Sequence, residues 1–197
     1  MRSSLKKNRN ESMFQYFKKE LYELKQLSEN EVIDLAYFDE TGCSLKPNVP
    51  YAWQKKGTIQ ELPAQRTRGI SIMGVLNVSK QIFYGDIYQG AANAECVIKT
   101  LDGYVDTLSK KTILILDNAS IHKAKIVKEK RKEWEKKGLY LQFIPPYCPE
   151  LNLIEILWKH LKHFWLKPEH YQNMQILEEN VKNILKQYGE KYLITFV

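Results

Sequence analysis

No apolar run in this 197-residue chain approaches the roughly 20 residues needed to cross a bilayer, which excludes a helical membrane span. The start, MRSSLKKNRNESM, is basic, but no apolar stretch follows it, so it does not read as a secretory leader. Cysteine is scarce. Cys43, Cys96 and Cys148 are odd in number and far apart. That excludes a disulfide framework and predicts a reducing, cytoplasmic setting. No CxxC pair occurs, which removes a zinc ribbon. Internal repeats and low-complexity tracts are missing as well.

The remaining composition is that of a chain with a real core: 44% of residues are hydrophobic, enough for one domain of ordinary size. The net charge is +7, and it is unevenly placed. Between Lys110 and Lys137 there are ten Lys or Arg against four acids. A one-sided basic surface suits a polyanion such as DNA, although a solvated lysine-rich helix would look the same.

Residues 1–30 contain no Gly or Pro, and Phe14, Phe17, Leu21 and Leu24 recur at helical spacing. The pattern predicts a helix near Glu11 to Leu27, either a linker extension or the first helix of a domain spanning 31–197. Ile33 to Phe38 reads as a strand, with Asp39-Glu40-Thr41-Gly42 as a turn after it. Tyr51 to Trp53 reads as a short second strand. Gly69 to Val78 and Gln81 to Tyr88 read as a hairpin pair turning at Asn77 to Lys80. A helix is expected over Ala92 to Leu108. Thr112 to Leu116 (TILIL) is apolar on both faces, as in a central strand. A basic helix over Lys123 to Lys137, a strand over Leu139 to Ile144, and helices over Leu153 to Leu166 and Met174 to Tyr188 complete the series. Residues 190–197 have no clear pattern. Helices alternating with strands in the second half predict an α/β fold with a mixed sheet.

Three acids occupy special places in this series. Asp39 ends the first strand, Asp117 ends TILIL, and Glu155 lies near the start of an amphipathic helix. Acids at strand ends and helix starts can meet at one sheet edge, where α/β proteins tend to bind ligands. Three clustered carboxylates repel one another and call for hard cations, Mg²⁺ or Mn²⁺, which share phosphate oxygens of a substrate. Each acid also has a plain structural alternative. Asp39 before Thr-Gly suits a turn. Asp117-Asn118 could cap the next helix. Asn152 with Glu155 could form a capping box, and Glu155 could pair with Lys159.

The local words around the acids are FDETG (38–42), LDNASIH (116–122) and PPYCPELNLIEILW (145–158), with YAWQKKG (51–57) after the first. Together they resemble the DDE transposases of the mariner superfamily, in its bacterial insertion-sequence branch. The resemblance spans residues 33 to 166, with 37 residues between Asp117 and Glu155. It implies a ribonuclease H-like fold, a five-stranded mixed sheet flanked by helices. It also implies that Asp39, Asp117 and Glu155 bind two Mg²⁺ ions, with Mn²⁺ able to substitute. Asn118 and His122 match the DNxxxH word and are expected to orient the acids or the substrate. Cys148 stands where serine is usual, and Leu153 where proline often precedes Ile-Glu.

The family comprises two-part proteins with helix-turn-helix domains ahead of the catalytic domain. Only about thirty residues precede the first strand here, so the chain resembles the catalytic half, in a bacterial cytoplasm, acting on DNA as a homodimer. Lys123, Lys125, Arg131, Lys159 and Lys162 are the candidate phosphate contacts. Ile154, Leu157, Trp158, Leu161, Phe164 and Trp165 are expected to form the apolar stripe of the Glu155 helix. His160 and His163 lack further zinc ligands nearby, Cys148 lacks a base, and Trp53 with Lys55-Lys56 is either a DNA-contacting hairpin or core. Besides a generic basic α/β nucleic-acid-binding module, which leaves the acids unexplained, two rival readings remain at this point. One is a ribonuclease H-like nuclease without strand transfer; the other is an inactive, repurposed DNA-binding fragment.

Overall fold

A computed structural model describes residues 8–47, 56–57 and 69–196. The expected strand at Tyr51 to Trp53, and with it Trp53 and Lys55, lies outside the described residues. The described elements are α1 (Glu11–Glu29), β1 (Asp34–Cys43), β2 (Ile70–Asn77), β3 (Ile82–Gln89), α2 (Ala94–Val105), β4 (Thr112–Leu116), α3 (Lys125–Lys136), β5 (Leu139–Phe143), α4 (Ile154–His160) and α5 (Met174–Lys186). Among them no helix is long and apolar enough to cross a membrane.

The five strands form one sheet in the order β3-β2-β1-β4-β5. β1, β2 and β3 run antiparallel as a meander, while β4 joins β1, and β5 joins β4, in parallel. Parallel neighbours need crossovers, and α2 and α3 supply them. The expected mixed sheet is therefore present, and it is flanked by helices on both faces.

β4 explains why its sequence is apolar throughout. Leu114, Ile115 and Leu116 have no exposed surface, because the strand is central and covered on both sides. Burying each such side chain contributes about 1.5–3 kcal/mol. One face of the sheet packs against α2 and α3 through Val97, Leu101, Val127 and Trp134. The other packs against α4, α5 and the start of α1 through Leu157, Trp158, Val181 and Phe14. Trp134 is fully buried and its indole N–H donates to Asp102 at 2.7 Å, which ties α3 to α2. α1 thus lies on the core, with Phe17, Leu21 and Leu24 against it.

Two expected boundaries are corrected. The residues read as a turn, Asp39 to Gly42, continue β1 and pair with Met73, Gly74, Ile72 and Ser71 of β2. Turn chemistry yielded here to the neighbouring strand, which captures the backbone groups that a turn would leave unpaired. α4 is also shorter than its apolar pattern. After His160 the helix widens over Leu161–Trp165, where Leu166 N–H donates to the Leu161 carbonyl five residues back. That extra residue per turn rotates the stripe, leaving Phe164 60% exposed and Trp165 only partly covered.

Candidate functional site

Strand register brings the two aspartates level. The last β1–β4 pair is Tyr37↔Ile115, and Asp39 and Asp117 each lie two residues beyond it. Adjacent strands are about 4.8 Å apart, so the two acids leave the same edge of the sheet side by side. Asp39 alternates onto the face of Leu35 and Tyr37, the face covered by α4, the helix that carries Glu155.

Electrostatics records the meeting. Asp39 is 8% exposed. Burial, then the charges of Glu155, Glu40 and Asp117, push its carboxyl well above the usual range. Glu155 is also raised, first by burial and then by Asp117 and Glu40, with Lys162 working against them. Asp117 goes the other way. Burial alone would lift it, but the His122 ring, the Ala119 amide and the charge of Lys123 hold it below its ordinary value.

His122 is the cation at the centre. It has no exposed surface, and its Nδ1 lies 2.7 Å from Asp117 Oδ1. Its Nε2 stands 3.0 Å from Glu40 Oε2, an ion pair without the alignment of a hydrogen bond. Burial pulls its pKa down, but the two carboxylates outweigh that and raise it to about 9. Phe38 packs on the ring at 5.2 Å between centroids. Glu40 was not among the residues singled out from the sequence. The signal was available: on a strand, the residue after Asp39 points to the opposite face, where His122 lies.

The plain alternatives for the acids do not match this geometry. Asp39 pairs within β1 instead of turning. Asp117 does not cap α3, whose N-cap is Ala124; its Oδ1 instead accepts from the Ala119 amide at 2.9 Å. The capping box at Asn152 is not formed either. α4 has Leu153 as N-cap, with no side-chain bond, and the Asn152 side chain reaches the Phe38 carbonyl at 3.0 Å. Among the described residues Glu155 has no ion pair with Lys159.

The remaining predicted residues separate into two groups. Asn118 donates through Nδ2 to the Ile144 carbonyl, holding the end of β4 to the end of β5. Lys123 and the half-buried Lys162 bear on the acids electrostatically. Lys125 is exposed and sits 3.8 Å from Glu129. Arg131 is held on the flank of α3 by Glu135 at 2.8 Å and by the Leu141 carbonyl. Lys159 is exposed on α4.

Among the described residues, no group of three or more His, Cys, Asp and Glu side chains stands arranged to hold a metal ion by itself. The donor set nevertheless suits Mg²⁺. That ion keeps several waters and uses one or two carboxylates together with substrate phosphates, so it does not require an all-protein cage. A buried acid crowded by three others also lacks the compensating charge that a divalent ion would bring.

Comparison with known proteins follows the same line. The profile described as DDE superfamily endonuclease matches residues 34–178. Among solved structures, the chain is similar to Mos1 transposase in a paired-end complex with its left transposon end, at 13% identity and TM-score 0.52, over 90% of this chain and 60% of that one. The Mos1 strand transfer complex gives the same identity and score, over 98% and 64%. The magnesium-bound catalytic core domain of HTLV-2 integrase, in a dimeric form, gives 10% identity and TM-score 0.53, over 82% and 89%. The sheet order and flanking helices are those of the ribonuclease H-like fold of such transposase and integrase cores. The chain spans less than two thirds of the Mos1 chains it matches. No curated protein matches the sequence.

Proposed function

Because this chain belongs to the DDE superfamily endonucleases, we propose that it is the catalytic part of a transposase that cleaves DNA at transposon ends and joins them to target DNA. Asp39, Asp117 and Glu155 would hold two divalent ions, Mg²⁺ or Mn²⁺, against a phosphodiester. The observation that carries this reading is Asp39, buried within β1 just past its pairing with β4 and exposed to the charges of Glu155, Glu40 and Asp117. A fold gains nothing from that crowding unless a cation occupies it. When bound, the ions supply charge stabilisation at the phosphate and a more acidic attacking water.

The protein groups orient this chemistry. His122 and the Ala119 amide fix one oxygen of Asp117. Asn118 steadies the end of β5, from which the Pro145-Pro146 loop leads to α4. Lys123 and Lys162 flank the acids and meet phosphate. Water attacks phosphorus and the strand breaks to leave a 3′-hydroxyl; that hydroxyl then attacks a target phosphodiester and displaces its 3′-oxygen. No covalent protein–DNA bond is needed. Pairing of two ends calls for a dimer, and Mos1 transposase, which the chain resembles in fold, is solved in a paired-end complex with its left transposon end.

The test is Mg²⁺-dependent nicking of plasmid DNA by the chain and by Asp39→Ala, Asp117→Ala and Glu155→Ala. Loss of several kcal/mol of transition-state stabilisation predicts a drop of about 10²-fold or more for each. Intact nicking by Asp117→Ala would sink the assignment. Joining of precut 3′-hydroxyl ends to a plasmid separates a transposase from a nuclease that only cuts.

A further inference from the structure

The helix carrying Glu155 must be held at a set distance from the strand carrying Asp39, and Asn152 spans that gap. It is 3% exposed, and its Nδ2 donates to the Phe38 carbonyl at 3.0 Å, one residue before Asp39. Its own backbone carbonyl accepts the Glu155 amide at 3.1 Å. A single residue thus hydrogen-bonds to the backbone at Glu155 and to the backbone next to Asp39. The junction is one where the sheet offers no help. Phe38 is the first residue past the last β1–β4 pair, so strand pairing on that side of β1 has ended.

Two ordinary roles for a buried asparagine do not describe this one. A helix cap would offer Oδ1 to an amide of the first turn, but Oδ1 is buried without a hydrogen-bond partner among the described residues. A residue kept for stability alone would not leave a buried amide oxygen unsatisfied, since that works against folding. A leucine of similar size would leave the Phe38 carbonyl without this donor. The retained feature is the Nδ2 donor.

We propose that Asn152 is a positioning residue that sets the separation of Asp39 and Glu155, and through it the affinity of the site for divalent ions. This rests on the metal-binding reading of the three acids above. The second turn of α4 has its own anchor, Trp158, packed edge-on against Phe83 at 5.9 Å. Loss of the Asn152 bond therefore frees the first turn of α4 while the rest stays docked.

The experiment is a Mn²⁺ titration of the full chain followed by electron paramagnetic resonance, beside the Mg²⁺ midpoint of plasmid nicking. Residues that orient metal ligands typically change affinity about 10–100-fold. Asn152→Ala is expected to weaken Mn²⁺ binding by that factor and to raise the Mg²⁺ midpoint in parallel, with nicking recovered at saturating Mg²⁺. Asn152→Asp keeps the size, removes the donor and adds a negative charge. Charge alone would strengthen Mn²⁺ binding, so weaker binding supports a positioning role, and it decides the matter if Asn152→Ala does not fold. Mn²⁺ binding within twofold of wild type in Asn152→Ala, or tighter binding in Asn152→Asp, overturns the inference alone. A wild-type chain that binds no Mn²⁺ overturns the metal reading and this inference with it.

Discussion

His122 is a buried base between two acids, and that placement makes it a reporter of the site. Its Nδ1 touches Asp117 and its Nε2 faces Glu40, so the protonated ring is favoured despite full burial. The pKa rises from 6.5 to about 9. A raised folded value stabilises the protein fully below 6.5 and loses that contribution as pH climbs through about 9. In metal-free protein, the His122 ring resonance should titrate near 9, and unfolding free energy should fall over the same window. Glu40→Gln should move the ring midpoint down; an unmoved midpoint would mean that Glu40 does not hold the ring. Asp117 has the opposite sign. Its lowered value stabilises above 3.8 and that contribution is lost as pH falls through the folded value.

At the scale of elements, two strands and one helix place the acids, and a glycine sets how closely they meet. Gly74 pairs with Asp39 across β1 and β2. A Cβ there would come within 2.4 Å of the Phe83 ring and 2.8 Å of Trp158. The bare backbone lets Phe83 lie over the sheet and α4 settle on it, three residues beyond Glu155. Gly74→Ala should therefore destabilise by about 1–3 kcal/mol through overpacking, read by urea unfolding. Gly42→Ala is the control on the same pair of strands, since its Cβ would meet nothing nearer than the Ile70 carbonyl at 3.9 Å. It should change stability by no more than about 0.5 kcal/mol. Equal costs for the two would refute close packing at Gly74.

Across the whole molecule, the sheet divides labour. α2 and α3 cover one face, and α3 carries much of the basic run, while α1, α4 and α5 cover the other and α4 bears Glu155. Asp39 and Asp117, each two residues past the last β1–β4 pair, lie between these layers, and on the proposed function that is the edge DNA would approach. Binding there should weaken steeply with salt, because phosphate neutralisation releases counterions. Lys123→Ala and Lys162→Ala should each reduce the slope of log affinity against log salt by about 0.9 for duplex DNA. Arg131→Ala should leave it unchanged, because that guanidinium is already engaged by Glu135 and the Leu141 carbonyl. A salt series of fluorescence anisotropy checks all three.

Residue order alone carried the strands and helices that the structure describes and the central position of TILIL, and it put forward Asp39, Asp117 and Glu155 as candidates. Periodicity and apolar runs reflect burial, and burial is written along the chain. The pairing of Glu40 with His122 and the reach of Asn152 to Phe38 were not legible, because they depend on which elements lie side by side. The same holds for the turn expected at Asp39 to Gly42, which became strand once β2 took its backbone groups, and for Phe164, turned outward by one wide helical turn. Side-chain identity set which acids could serve. Strand register and the packing of α4 over Gly74 set where they stand, because pairing and contact between distant segments arise only when the chain is folded.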